Sequence, residues 1–303
     1  MKSKNSVILG TILTGLLLAC VLMAGCTGNS GSKTADSSKP EVTPTNPLAV
    51  KSGADGQVLS IAGSTTVLPI AAKAAEKYME THPNLDVQVN GGGTGAGVQA
   101  AGEGTAMIGM ASRDLKAEEK AKYPDLMAHQ IAIDGIAIIT NAANPIPSLT
   151  LEQIKKIYDG NITNWKDVGG KDAAIVVIGR DSASGTREFF TSDIMKKADY
   201  VKTQLEKNSN GAVKQTIEQT PTAIGYVGLG YVDKTVHAVP LSVNGALISP
   251  SIESVKAGKY PISRPLHLLT KGLPIGDAAE FIAFLNGPEG QKIITEEGFV
   301  LIK

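Results

Sequence analysis

The sequence has very few cysteines and histidines, and their positions exclude whole classes of protein. Its two cysteines, Cys20 and Cys26, lie near the N-terminal end of the 303 residues. The rest of the chain can therefore form neither a disulfide framework nor a cysteine-based metal site. The four histidines are widely separated and form no His-x-x-x-His pair, which disfavours a zinc hydrolase. We expect neither a metal nor a cofactor.

Aromatic residues are scarce, and neither sign of charge is in excess. Aromatics make up 4% of the chain, and Lys+Arg and Asp+Glu both number 29, so the formal net charge is zero. No local Lys/Arg cluster provides the footprint of a nucleic-acid partner. Hydrophobic residues at 42% and charged residues at 19% are typical of a folded soluble protein. A net charge of zero does not exclude an anionic ligand, because local hydrogen-bond donors rather than net charge decide such binding.

One long apolar run covers residues 7–25, and two lysines precede it, which is typical of a signal peptide. The run ends in Leu-Met-Ala-Gly before Cys26 and resembles the lipobox of secreted lipoproteins. We therefore predict a lipoprotein signal peptide over 1–26, with lipid on Cys26. Cys20 is a competing attachment site, and an uncleaved anchor helix is a second alternative. Each version places the folded body outside the cytoplasm.

Residues 27–56 are rich in Ser, Thr, Gly and Pro and contain no aromatic residue. Such a segment cannot bury enough apolar surface to offset its ordering entropy, so we predict a disordered linker. The folded body then spans 57–303, enough for one large domain or two smaller ones.

Three segments of the body share one pattern: a short strand, a loop of small hydroxyl-bearing residues and the start of a helix. The strands are predicted at 58–62, 85–89 and 174–178, the loops at 63–66, 91–97 and 179–186, and the helices near 67–78, 98–101 and 187–196. Free N–H groups and the dipole at a helix start favour an anion, and hydroxyls add donors. One such loop alone is more typical of ordinary helix capping. Three in one chain, one carrying Arg180, favour an oxyanion site.

Familiar nucleotide and catalytic motifs are missing. The sequence contains no Gly-x-x-x-x-Gly-Lys-Ser/Thr loop and no Gly-x-Ser-x-Gly elbow, and the glycines of 91–97 do not match Gly-x-Gly-x-x-Gly. A secreted phosphatase or serine hydrolase that uses Ser184 or Ser64 stays an alternative, but Ser184 has no evident histidine partner. We expect a binding protein rather than an enzyme.

The order and spacing of several short motifs resemble a known family, the substrate-binding proteins of high-affinity phosphate ABC transporters. The matching segments, from about residue 59 to the C-terminus, are 62–67 (AGSTTV), 92–97 (GGTGAG), 111–113 (ASR), 134–137 (DGIA), 162–165 (ITNW), 180–187 (RDSASGTR) and 223–227 (AIGYV). The resemblance implies an α/β, bilobed type II periplasmic-binding-protein fold, two α/β lobes joined by a two-segment hinge. We place lobe one at 57–137 plus 264–303 and lobe two at 138–263.

The resemblance also implies a binding function in which no reaction is catalysed. We expect the protein to capture inorganic phosphate between the lobes and to deliver it to an ABC permease, while lipid on Cys26 holds it at the outer face of the cell membrane. We expect a monomer with no nucleic-acid partner. A binding protein for sulfate, molybdate or tungstate and a sensory or adhesive lipoprotein of the same fold stay as alternatives.

Carried over position by position, the resemblance assigns ligand contacts to both lobes. They are Thr65, Thr66, Thr94 and Ser112 in lobe one, and Arg180, Ser184, Gly185 and Thr186 in lobe two. Thr65 and Thr66 are expected to supply a hydroxyl and backbone donors, and Thr94 stands where the family has a phosphate-binding serine.

One position departs from the family pattern. After the serine at 112 the family has an aspartate that accepts the proton of phosphate, which sulfate lacks, whereas this chain has Arg113. Arg113 is predicted to add a bidentate donor instead. Asp134, in an apolar strand, is the candidate for the missing acceptor, and Asp181 is the second. A structural pairing of Asp134 with Arg113 or Arg180 is an equal alternative.

Overall fold

The computed structural model describes residues 57–302. The predicted signal peptide, the lipid attachment at Cys26 and the predicted linker lie outside the described residues. Within 57–302, no helix combines the length and the apolar character that crossing a membrane requires.

Strands and helices alternate along most of the described chain, which confirms the predicted α/β class. The strands are β1 Gln57–Gly63, β2 Leu85–Gly91, β3 Ile108–Ala111, β4 Leu126–Asn141, β5 Val176–Arg180, β6 Leu205–Lys207, β7 Ala223–Gly228, β8 Val236–Ala238, β9 Leu241–Val243, β10 Ala246–Ile248, β11 Ser263–Lys271 and β12 Val300–Leu301. The helices are α1 Leu68–Thr81, α2 Thr94–Glu103, α3 Ala117–Lys122, α4 Leu151–Tyr158, α5 Gly185–Phe189, α6 Asn210–Gln219, α7 Ile252–Lys256, α8 Gly276–Asn286 and α9 Pro288–Glu296.

The main sheet has parallel strands at both ends and antiparallel strands in the middle. Its order is β2-β1-β3-β11-β4-β7-β5-β6, with β8 and β12 also paired to β4. β1 pairs in parallel with β2 and β3, and β5 pairs in parallel with β6 and β7. Adjacent parallel strands need a crossover connection, and helices supply it at both ends of the sheet.

Strand β4 passes through both halves of this sheet. Its first part pairs with β11 as far as Gly135, and its last part, from Ile136 onward, pairs with β7 and β8. Ile131 and Ala132 pack into one hydrophobic core, and the run that begins at Ile136 packs into another. Asp134 therefore lies at the point where β4 leaves the first core and enters the second.

The first core explains why the N-terminal strand and helix form where they do. On α1, the buried side chains Ile70, Ala74 and Tyr78 recur at helical spacing and face the sheet. Leu59 and Ile61 of β1 point into the same core. The strand and helix predicted for this segment are both confirmed.

Two predicted helices have different bounds in the structure. α2 begins at Thr94, earlier than predicted, because Gly93 adopts a φ of 91° and turns the chain directly into the helix. α5 ends at Phe189 and continues as a π-helical turn over Phe190–Ile194, so the helix predicted near 187–196 is present but begins and ends two residues earlier. The N–H of Met195 donates to the carbonyl of Phe190, five residues back, which defines that turn.

Candidate functional site

A set of buried polar side chains collects where the two cores meet, and we call it the polar cluster. Each member is at most 6% exposed, and the members are Thr65, Thr66, Thr94, Ser112, Asp134, Arg180, Ser184, Thr186, Asn210 and Arg264. On the side of the first core, the cluster takes residues from the turn after β1, the start of α2, the residue after β3, and β11. On the side of the second core, it takes residues from β5, the start of α5 and the start of α6, and Asp134 lies in β4 between the two. Buried polar groups need hydrogen-bond partners, so each contact in the cluster is informative.

The first predicted loop turns sharply between β1 and α1. Glycine is required at position 63, because its φ is 136° and a Cβ there would lie only 2.9 Å from the backbone nitrogen of Met110. The N–H of Ser64 donates to the carbonyl of Met110 at 2.9 Å, which ties the loop to β3. The N–H of Thr66 donates to Ser64 Oγ at 3.2 Å. The structure therefore uses this backbone donor, which we predicted for the anion, inside the turn.

The hydroxyls of this loop face donors from other elements. Thr65 Oγ1 accepts from Asn210 Nδ2 at 3.1 Å and from Arg180 Nη2 at 3.4 Å. Thr66 Oγ1 accepts from Asn210 Nδ2 at 3.0 Å and from Arg264 Nη2 at 3.1 Å. Amide NH₂ and guanidinium groups donate and cannot accept. Both threonine oxygens therefore act as acceptors here, and their own hydroxyl hydrogens are left to donate.

The second predicted loop places Thr94 against Ser112. Thr94 Oγ1 accepts from the N–H of Ser112 at 3.1 Å, and the two hydroxyl oxygens lie 3.2 Å apart. Gly185 approaches this pair so closely that a Cβ there would lie 2.9 Å from Ser112 Oγ and closer still to Thr94 Oγ1. The N–H of Gly95 donates to the carbonyl of Ala183 at 3.0 Å. The second and third loops are thus in direct contact.

The third predicted loop carries Arg180 and the Ser-Gly-Thr segment. Arg180 donates through Nε to the carbonyl of Lys207 at 3.1 Å, and burial lowers the pKa of its guanidinium. Ser184 caps α5, since its Oγ accepts from the N–H of Arg187 at 3.2 Å. Thr186 Oγ1 lies 3.4 Å from Thr66 Oγ1, across the boundary between the two cores. The structure thus brings Arg180 and Thr186 to the first loop and gives Ser184 a capping role.

Asp134 forms a buried ion pair with Arg264. The two residues are register partners on β4 and β11, and Arg264 Nη2 lies 2.9 Å from Asp134 Oδ2. Burial raises the pKa of the Asp134 carboxyl, while the charge of Arg264 and the N–H of Leu229 oppose that rise. The predicted structural partners, Arg113 and Arg180, are not the ones that the structure places there.

Arg113 lies outside the hydrogen bonds of the polar cluster. Its Nη2 and Nη1 donate to the carboxylate of Glu119 at 2.7 and 2.8 Å, and its Nε donates to Glu188. Nη1 also donates to the carbonyl of Asp114 at 2.8 Å. Each guanidinium nitrogen therefore has a protein partner already. This geometry does not support the predicted role of Arg113 as a bidentate donor to the anion.

Sequence reasoning missed Asn210 and Arg264. Arg264 lies in the largely buried strand β11, and a lone arginine in a buried strand is a signal for a partner or a ligand. Asn210 begins α6 directly after the capping Ser209, and its Nδ2 contacts both threonines of the first loop. No local pattern marks that residue, because its partners lie about 145 positions away.

The described residues contain no group of three or more His, Cys, Asp or Glu side chains placed to hold a metal ion. The donors of the polar cluster are instead hydroxyls, an amide and two guanidinium groups. Such a donor set is suited to an anion that accepts hydrogen bonds from every side.

Comparison with known proteins identifies the family. Residues 31–289 match the model of a PBP superfamily domain. The phosphate-binding protein PstS of Bacillus subtilis (strain 168) is 36% identical over 296 residues, which cover 95% of this chain and 93% of that protein. The PstS of Borreliella burgdorferi (strain B31) is 34% identical over 257 residues, with coverage of 82% and 91%.

Solved structures give the same result. A crystal structure from Clostridium perfringens, described as a phosphate ABC transporter substrate-binding protein with bound phosphate, is 39% identical at a TM-score of 0.77. It is covered completely and matches 82% of this chain. An ABC-type phosphate transport receptor from Vibrio cholerae is 37% identical at a TM-score of 0.65, with 81% of this chain and all of that chain covered. The chain belongs to the PstS family of phosphate-binding proteins, which are solute-binding proteins of the type II periplasmic-binding-protein fold and not enzymes.

Proposed function

We propose that this protein binds inorganic phosphate between two lobes and delivers it to an ABC permease. The names of its relatives and the phosphate in the Clostridium perfringens structure support this ligand. The proposed contacts are Thr65, Thr66, Thr94, Ser112, Arg180, Ser184, Gly185 and Thr186. Arg113 is left out of this set because acidic partners engage its guanidinium.

The orientation of the threonine hydroxyls carries the proposal. Thr65 Oγ1 and Thr66 Oγ1 accept hydrogen bonds from amide and guanidinium groups, so their hydrogens point away from those groups. Thr186 Oγ1 also accepts from Arg264 Nη2 at 2.8 Å. Hydroxyls that accept these bonds keep their hydrogens for donation, which favours an anion over a neutral solute, since a neutral solute also carries hydrogens that need acceptors.

The proposed binding cycle uses as a hinge the two places where the chain passes between the lobes, after residue 137 and before residue 264. Lobe one, 57–137 plus 264–303, carries the first two loops, and lobe two, 138–263, carries Arg180 and the Ser-Gly-Thr segment. Phosphate binds one lobe first, and closure then brings the donors of the other lobe onto it. Because the protein makes and breaks no covalent bond, its output is the closed shape that the permease recognises.

The proposed location is the outer face of the cell membrane, with the protein as a monomeric lipoprotein. The lipobox-like segment before Cys26 supports lipid attachment there, and residues 27–56 are long enough to keep the body near a permease. Mass spectrometry of the protein from membranes tests this directly. A diacylglycerol-modified N-terminal Cys26 is expected, and an unmodified mature N-terminus at another residue would contradict it.

Titration calorimetry on the full chain in detergent tests the ligand. The protein is unfolded and refolded to remove carried-over anion, and phosphate, sulfate and molybdate are then titrated separately. We expect tight binding of phosphate and much weaker binding of the other two. Preferential binding of sulfate or molybdate would replace phosphate as the ligand, and no heat from any oxyanion would reject the proposed function.

A further inference from the structure

Arg264 is buried at the point where the two cores meet. It is 2% exposed, and it is the second residue of β11, directly opposite Asp134 on β4. Its Nη2 reaches hydroxyls from both sides of that boundary, Thr66 Oγ1 at 3.1 Å and Thr186 Oγ1 at 2.8 Å. This guanidinium therefore touches two of the loops to which we assign the anion.

One nitrogen of this guanidinium has no protein partner. Nε and Nη2 of Arg264 both donate to Asp134 Oδ2. Nη1 is buried, and no atom of the described residues accepts a hydrogen bond from it. A buried charged donor without an acceptor is strongly unfavourable, more so than a neutral one. A bound oxyanion would supply the missing acceptor.

Asp134 is placed to hold Arg264 rather than a ligand proton. Its Oδ2 accepts two hydrogen bonds from Arg264, at 3.1 and 2.9 Å, and its Oδ1 accepts from the N–H of Leu229 at 2.9 Å. Both carboxylate oxygens thus have donors from the protein itself. The bonds from Nε and Nη2 to Asp134 Oδ2 hold the guanidinium and leave Nη1 outside the ion pair.

We propose that Arg264 is a second anion-binding arginine that donates through Nη1 to the bound oxyanion, and that Asp134 is a positioning residue for it. This inference rests on the proposed function, because the anion is the phosphate of that site. Arg180 and Arg264 then hold the anion from opposite sides of the boundary between the cores. Burial and the nearby charge of Arg264 lower the pKa of the Arg180 guanidinium, and an anion between the two arginines offsets that repulsion.

The test compares Arg264→Lys and Asp134→Asn with wild type by phosphate and sulfate calorimetry on the full chain in detergent. Arg264→Lys keeps a positive charge opposite Asp134 but loses the forked donor. We expect its phosphate Kd to rise on the order of 10- to 100-fold. His267→Gln is the matched control, since His267 is also buried on β11 and also pairs with an aspartate, Asp114. Its phosphate Kd is expected to stay within about twofold of wild type.

Asp134→Asn separates positioning from proton acceptance. A positioning residue weakens phosphate and sulfate by the same factor, so their preference ratio is expected to stay unchanged. A proton acceptor discriminates between the two anions, and a collapse of that ratio would overturn the role given to Asp134. Circular dichroism and thermal unfolding without phosphate check that each variant is folded.

The outcomes for Arg264 and for the proposed function are distinguishable. Wild type that binds phosphate, together with a folded Arg264→Lys that binds it equally well, would overturn the second arginine alone. Wild type that prefers sulfate would overturn phosphate as the ligand, and the variants then test Arg264 with sulfate. Wild type that binds no oxyanion would overturn both.

Discussion

Arg113, which follows β3, donates through Nε to the carboxylate of Glu188 in α5. The side chain of Arg113 is 9% exposed and that of Glu188 is 24% exposed, so the pair is shielded more than a surface ion pair. Burial opposes the charged form of Arg113, but hydrogen bonds and charges from Glu119 and Glu188 outweigh burial and raise its pKa. Lys116 also pairs with Glu188. This ion-pair network connects elements of the two cores beside the polar cluster.

Glu188→Gln is predicted to weaken closure of the lobes. The variant keeps the shape of the side chain but loses the attraction to Arg113 and Lys116, which we propose to be part of the closed state. We expect phosphate to dissociate about 3- to 30-fold faster, consistent with about 1–2 kcal/mol for a partly buried charged pair. Stopped-flow displacement of phosphate measures the rate. Glu118→Gln removes a highly exposed partner of Lys116 and serves as control; equal rates for both variants would contradict the prediction.

Gly185→Ala is predicted to block closure by steric contact. A Cβ at this position would meet Thr94 Oγ1 and Ser112 Oγ, both of which belong to the other side of the boundary between the cores. Phosphate affinity, measured by calorimetry, is expected to fall at least about tenfold, because the closed state that we propose brings Gly185 against both side chains. Gly211→Ala is the control, since a Cβ there has no neighbour within 4 Å. Wild-type affinity in Gly185→Ala would reject this close approach.

Thr66→Val is predicted to weaken phosphate binding about 10- to 100-fold. The substitution keeps the branched shape, removes the hydroxyl donor and leaves Asn210 Nδ2 and Arg264 Nη2 without this acceptor. Calorimetry measures the change. Thr216→Val is matched to it, because the hydroxyl of Thr216 donates only to the carbonyl of Ala212 within α6. A similar loss in both variants would show that the effect is not specific to the polar cluster.

Stability is predicted to fall as the pH drops through the range near 6.5. Burial lowers the pKa values of His129 and His267 below 6.5, the ordinary value for histidine. The unfolded chain therefore binds more protons than the folded chain, and acid favours unfolding. Above about pH 7.5 the histidines are neutral in both states and do not reduce the free energy of unfolding. As the pH falls through 6.5, the unfolded chain takes up protons first and the free energy of unfolding decreases. Thermal unfolding between pH 8 and 5 measures this trend; a double variant, His129→Gln with His267→Gln, is expected to flatten it, and an equally steep profile would contradict the assignment.

Local patterns in the sequence were sufficient to predict the three loops but not the side chains that contact them. The Thr-x-x-Gln spacing before α4 is a local pattern that marks a capping box, and the structure has one: Gln153 N donates to Thr150 Oγ1 at 3.1 Å and Thr150 N donates to Gln153 Oε1 at 2.9 Å. Such features depend on residues three positions apart. The contact between Thr66 and Arg264 joins positions 198 apart, and no periodicity reports a pairing at that distance.

The case of Arg113 shows the same limit for a charged residue. Its type and its place after Ser112 suggested a ligand donor, because the family has a functional side chain there. Its true partners depend on the position of α3, which supplies Glu119, and of α5, which supplies Glu188. Only the positions of these two helices in the folded chain decide that the guanidinium is engaged by carboxylates.

A crystal structure of the protein with phosphate tests the central claim most directly. The account predicts one phosphate enclosed by the polar cluster, with oxygens within hydrogen-bond distance of Thr66, Arg180 and Thr186, and with Arg264 Nη1 as a further donor. Phosphate bound to one lobe only, or bound away from these side chains, would contradict the account.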